Sequence, residues 1–254
     1  MFLLRLCIVI FLFSSCASLF KSDRSEERAL LRQQLGVSYM QQGNYPLALK
    51  ELLEAEELDP KNPHIQNNLG MLYFVREKFE LSAKHFSRAY ELDKKFTDAK
   101  NNLARVYIEL KQFAIAQRLL EEVLTDLTYQ YPIKADMNYG LLEFNRGRFK
   151  EAKKHFRKVL IQDREDCFAQ VFLGRSFLEL KENVQAVDQL EKATTFCKVM
   201  GIDDAHYFSA IALYRTGDKE QSLVRFKELL DLFPQAKYRE QSKKMIDIIE
   251  KGTL

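Results

Sequence analysis

From residue 29 the sequence repeats itself with a period of 34 residues, and that periodicity constrains the fold more than any other feature. The unit is clearest in ALLRQQLGVSYMQQGNYPLALKELLEAEELDPKN. Gly36 and Tyr39 return as Gly70 and Tyr73, then as Ala104 and Tyr107. Ala48, Leu52 and Ala55 return as Ser82, Phe86 and Ala89, then as Ala116, Leu120 and Val123. Two residues are inserted around Tyr131-Pro132, and the pattern resumes with Gly140, Ala152, Phe156 and Val159, then Gly174, Ala186, Leu190 and Ala193. After a second two-residue insertion, a sixth unit carries Ala210, Ser222, Phe226 and Leu229.

The spacing has a physical cause. A small residue midway along the first helix of a unit lets the second helix approach closely, and a small residue early in the second helix does the same. The large apolar residues then fill the seam to the next unit. Asn44, Gly147 and Asp218 fall near the tight turns, with Gly43 and Gly217 suited to left-handed backbone, while Pro60 and Pro234 stop the second helices. Each helix pair is amphipathic and cannot bury its face alone; stacking completes the core.

This pattern over residues 29–236 resembles the tetratricopeptide repeat. The resemblance implies an all-α fold, a right-handed superhelical solenoid of about six helix pairs, closed by a C-terminal capping helix and tail over 237–254. Units three and five lack glycine at the turn, and Glu143 and Leu213 stand where the family prefers Tyr.

Composition agrees with a folded helical body: 46% hydrophobic, 30% charged, nine Gly and five Pro. Basic and acidic side chains number 39 and 36, and no Lys/Arg cluster forms a nucleic-acid footprint. Cys167 and Cys197 read as lone buried thiols, with pairing between them left open.

The leader MFLLRLCIVIFLFSSCAS has one charge at Arg5, an apolar run Leu6–Phe13 and two small residues before Cys16. It is too short to span a bilayer and has the order of an export signal over residues 1–15. Phe13-Ser14-Ser15-Cys16 resembles the bacterial lipoprotein signal, with Phe where Leu is usual. That resemblance implies lipid attachment at Cys16. Ala17 in place of Asp implies an outer-membrane destination with the body in the periplasm, and residues 16–28 then form a polar tether.

In such a solenoid the first helices line a concave groove. Met40 comes from the first unit, Met71 and Phe74 from the second, and Arg105 and Ile108 from the third. Met137, Leu141 and Phe144 form the favoured patch in the fourth. Arg175 and Leu178 follow in the fifth, and Tyr207 and Tyr214 in the sixth. Aromatic anchors among a few charges suit an extended or helical segment of a partner protein. Catalysis is not expected. The four histidines are spread over three repeats, no HExxH, phosphate loop or CxxC is present, and no metal or cofactor is implied. His85 and His155 share one repeat position and read as seam or surface residues.

The leader, the repeats and local wording such as YPIKADMNYGLLEFNRGRFKEAKKHFRKVL together resemble the pilotin-type lipoproteins of type IV pilus biogenesis. Asn101-Asn102 and Tyr131-Pro132 carry part of that likeness. It implies a role in bringing secretin subunits to the outer membrane and assembling them there, with Cys16 as tether and the groove as the holding surface. Alternatives are a lipoprotein scaffold in outer-membrane protein insertion or cell-wall machinery, and an activator of a wall hydrolase.

Overall fold

The computed structural model describes residues 24–252, all-α and without a strand among them. The leader and Cys16 lie outside the described residues. Helix α1 covers residues 24–41. It is followed by α2 (Tyr45–Leu58), α3 (Pro63–Val75), α4 (Phe79–Leu92), α5 (Thr97–Glu109) and α6 (Phe113–Thr125). Then come α7 (Pro132–Asn145), α8 (Phe149–Gln162), α9 (Cys167–Glu179), α10 (Asn183–Val199), α11 (Asp204–Thr216), α12 (Lys219–Leu232) and α13 (Arg239–Lys251). Two compact units divide the chain, one ending at Gln112 and the other starting at Phe113.

One expectation is corrected at the start. Residues 24–28, assigned to a polar tether, are already helical. Ser25 Oγ donates to the Leu58 carbonyl at 3.0 Å, which ties the opening turn of α1 to the end of α2. Glu and Arg favour helix, so polarity here marks a solvated helical face rather than unstructured chain.

In the first unit, Gly36 lies beneath Leu52: a Cβ on Gly36 would sit 2.6 Å from Leu52 Cγ. A Cβ on Gly70 would sit 2.7 Å from Phe86 Cδ1. Ser82 Oγ donates to the Gly70 carbonyl at 2.8 Å, so the small residue of α4 meets the small residue of α3. Here α3 packs on both α4 and α5.

The second unit repeats the scheme. Phe156 fills the space a Cβ on Gly140 would need, at 2.5 Å, and Leu190 crowds Gly174 in the same way. Ser222 Oγ donates to the Ala210 carbonyl at 2.9 Å. The second helix of each pair packs on the first helix of the next, and α7, α9 and α11 also touch in sequence. Phe86, Phe156 and Phe226 occupy one repeat position and are all but excluded from water. Each such burial is worth roughly 1.5–3 kcal/mol.

A polar rung recurs inside the hairpins between residues 19 apart. Arg32 bonds Glu51 at 2.6 Å, and the His85 ring nitrogen meets Gln66 at 2.9 Å. His155 meets Asp136 at 2.8 Å, and Gln189 donates to Gln170. The hairpin turns show why glycine is dispensable in some units. Glu77, Lys111 and Lys181 adopt the positive φ that Gly43, Gly147 and Gly217 adopt elsewhere. An L-residue there costs roughly 1–2 kcal/mol, which the surrounding packing offsets.

Cys167 and Cys197 are joined as a disulfide, in place of the lone thiols expected, with Cα atoms 5.1 Å apart. Helix α10 has 17 residues against 14 in α8 and α12, and the extra turn brings Cys197 back to the first turn of α9. Beyond α12, α13 buries only Ser242 and is held from outside by Lys227–Glu250 at 2.8 Å.

Candidate protein-binding groove

The expected groove residues are placed by the first helices, and each unit supplies its own stripe. In the first unit Met40 is half-buried against the α1–α3 core, and Met71 is 38% exposed. Phe74 is half-buried and meets the Phe79 ring edge-on at 5.6 Å. The Arg105 guanidinium lies 5.7 Å from the Phe74 centroid and bonds Glu109 at 2.8 Å. Burial pushes the Arg105 pKa down, and the Glu109 charge opposes that. Asn102 donates to Asn67 at 3.1 Å, tying α5 to α3 along this face.

In the second unit Met137 and Phe144 are half-buried. The Phe144 ring meets Phe149 at 5.2 Å and Phe172 at 5.3 Å, both edge-on. The Arg175 guanidinium stands over three rings: Phe208 at 4.4 Å, Phe172 at 4.8 Å and Phe144 at 4.9 Å. Tyr207 stacks on Tyr238 at 4.2 Å, and Tyr214 is half-buried. Phe168, two turns before Arg175, is 49% exposed.

Three expected groove residues have no surface to offer. Ile108, Leu141 and Leu178 are only 2%, 5% and 3% exposed. The cause is helical phase. On α9, Val171 and Leu178 point inward, while Phe172 and Glu179 take the open positions beside Arg175. On α5, Asn101 and Ile108 are buried while Asn102 and Glu109 flank Arg105. On α5 and α9 the open stripe is thus turned by one residue from the expected one at those sites, while on α7 Leu141 and Leu142 both face inward. Phe172 and Phe208 were missed for this reason. The signal was present: that repeat position holds Asn68, Asn102 and Asn138, then switches to Phe in the last two units.

The histidines serve the seams. His85 stacks on Tyr73 at 5.2 Å, and burial pushes its pKa below the ordinary histidine value. His155 stacks on Tyr139 at 4.6 Å while bonding Asp136. His206 is buried, lies edge-on to Phe233 at 5.1 Å, and its Nδ1 lacks a hydrogen-bond partner. Among the described residues no group of three His, Cys, Asp or Glu side chains is placed to hold a metal ion. No described helix is long and apolar enough to cross a membrane.

A TPR repeat model matches residues 36–74 and a Tetratricopeptide repeat model matches residues 97–126. No curated protein matches the sequence. Among solved structures, the chain is similar to PilW, described as a widely conserved type IV pilus biogenesis factor. The TM-score is 0.74 at 18% identity, covering 87% of this chain and 98% of PilW. It is similar to pilF of Pseudomonas aeruginosa with a TM-score of 0.67 at 21% identity, covering 87% and 99% of the two chains. It is also similar to the Cut9-Hcn1 hetero-tetramer of the APC/C, with a TM-score of 0.78 at 15% identity, covering 89% of this chain and 44% of the other. At these identities the likeness establishes the fold. The chain is an all-α protein of tetratricopeptide-type helix pairs, related in fold to diverse TPR proteins.

Proposed function

We propose that the chain is a lipoprotein, tethered to the outer membrane through Cys16, that promotes secretin assembly or localisation for type IV pili. It does so by holding a segment of the secretin subunit against its first-helix groove. The observation that carries this reading is a pairing within one chain. A leader ending in Ser14-Ser15-Cys16 precedes a repeat body that aligns with nearly the whole of PilW and pilF. The partly open aromatic and cationic side chains around Phe74 in the first unit, and separately those around Phe144 and Arg175 in the second, suit a protein ligand. The Cys167–Cys197 disulfide suits an oxidising compartment such as the periplasm.

The test is the fraction of secretin present as assembled multimer in outer membranes. It is compared between cells with the gene, without it, and with Cys16→Ala. The expected result is loss of multimers without the gene, and a defect in Cys16→Ala while the protein remains exported and abundant. Unchanged multimers in all three would sink the reading and leave a repeat scaffold with another client, such as outer-membrane protein insertion or wall machinery.

A further inference from the structure

Arg175 differs from the other half-buried arginines of its unit. Arg146 bonds Gln117 at 2.6 Å and Glu143 at 3.2 Å, and Arg225 bonds Glu191 and Glu228, each at 2.5 Å. Arg239 donates to the Leu230 carbonyl at 3.3 Å. Phe144, Phe172 and Phe208 frame the Arg175 guanidinium, and it has no hydrogen-bond or ion-pair partner among the described residues. Tyr238, Asp204 and Glu179 are near enough for their charges to act on it, but none makes a hydrogen bond or ion pair with it.

That arrangement is costly for a cation without a polar partner. A guanidinium stays charged in proteins, and burial removes water that would otherwise solvate it. Ring faces compensate the charge through the planar faces of the cation. They leave the N–H fork unused, and that fork matches the two oxygens of a carboxylate. The rings also supply apolar walls for the residues on either side of such a group.

We propose that Arg175, within its frame of Phe144, Phe172 and Phe208, anchors a side-chain carboxylate, Asp or Glu, of a protein segment lying along this unit's first-helix groove. The carboxylate belongs to a side chain and not to a chain terminus because the stripe continues past Arg175. Exposed Phe168 lies two turns toward the start of α9, and half-buried Ile211 and Tyr214 lie on α11. A segment therefore has contacts before and after the anchor. The N–H fork of a ring-framed guanidinium fits a planar carboxylate flanked by apolar side chains. The proposal rests on the reading that the groove holds a protein segment, and does not require that segment to come from a secretin.

The test uses the full chain on an array of random-sequence peptides, printed once with amidated and once with free C-termini. The expected result is enrichment of Asp or Glu among bound peptides in both copies. Changing that acidic residue to Gln or Asn in the best binder weakens binding about ten- to hundredfold, the range for hydrogen bonds to charged groups. Arg175→Gln removes the acidic preference, whereas Arg157→Gln at an exposed position on α8 preserves it. The peptide change is read on the unaltered protein, so the result stands even where Arg175→Gln folds poorly. No acidic enrichment, equal binding of the neutralised peptide, or binding confined to free C-termini would each overturn the proposal. The assay contains no secretin, so its failure leaves the multimer test standing, and failure of the multimer test leaves the acidic preference measurable.

Discussion

Asp136 on α7 and His155 on α8 lie 2.8 Å apart, oxygen to Nδ1, with the imidazole also stacked on Tyr139. Lys158 adds a second bond to the same carboxylate oxygen at 3.2 Å. A carboxylate accepts only, so Nδ1 carries the proton of this bond.

The Asp136 carboxylate sets an acid limit on stability. Burial alone would raise its pKa, but the hydrogen bonds from His155 and Lys158, together with the Lys158 charge, hold it below the ordinary value of 3.8. The unfolded chain then takes up a proton before the folded one does. The stabilisation is fully present above the ordinary aspartate value and disappears as pH falls through the lower folded value. Asp136→Ala is expected to cost about 1–3 kcal/mol at neutral pH, since it leaves the buried side of His155 unpaired. Urea unfolding at neutral pH and at about pH 3 checks both statements: the variant's deficit shrinks at the lower pH.

His206 acts at higher pH. Burial, aided by the Arg225 charge, pushes its pKa below 6.5. The unfolded chain therefore protonates first as pH falls, and stability declines from about pH 6.5 downward through the folded value. Replacing His206 with Gln removes one contribution to this decline. The slope of unfolding free energy against pH between neutrality and about pH 5 is expected to flatten, leaving the part due to His85, whose pKa burial also lowers. An unchanged slope would assign the decline to other groups.

Glycine at the hairpin crossing is a packing requirement. Ala in place of Gly140 would gain up to about 1 kcal/mol of helix propensity. Its Cβ would stand 2.5 Å from the Phe156 ring, and overpacking of this kind costs typically 1–3 kcal/mol. Net destabilisation is expected, with partial recovery when Phe156→Leu is added to Gly140→Ala. Denaturant midpoints of the two singles and the double give the coupling directly.

The disulfide closes a separation of 30 residues between the first turn of α9 and the last turns of α10. Loss of a cross-link of that span is expected to cost about 2–4 kcal/mol. Paired substitution, Cys167→Ser with Cys197→Ser, should lower the melting temperature, and reductant should lower that of the unaltered protein to the same degree. A reductant-insensitive melt would show that the thiols are unpaired in solution.

The helix pairs were legible because their crossings are set by residues a fixed distance apart. Gly140 and Phe156, or Gly70 and Phe86, carry the pattern in their identities alone. The phase of the first helices was legible only in part. One residue of rotation separates Val171 from Phe172 and Leu178 from Glu179, and both members of each pair satisfy a helical period. Neighbouring helices decide which of them faces inward. The cysteine pairing was hidden for another reason. It depends on α10 running a turn longer than α8 and α12, a length that the two-residue insertion before the sixth unit conceals.

The rungs Arg32–Glu51, Gln66–His85, Asp136–His155 and Gln170–Gln189 sit at one address in the first, second, fourth and fifth hairpins yet use a different chemistry each time. Each rung joins the two helices of its own hairpin, so a change to one member leaves the other mismatched, while Gln66 also donates to Glu56 and Gln170 to the Arg164 carbonyl, both in the preceding hairpin. Change at this address therefore proceeds by coupled steps. A hairpin duplicated or moved within such an array carries its own rung with it, and the one holding Gln66 or Gln170 must also meet, at its new seam, an acceptor like those that Glu56 and the Arg164 carbonyl supply here.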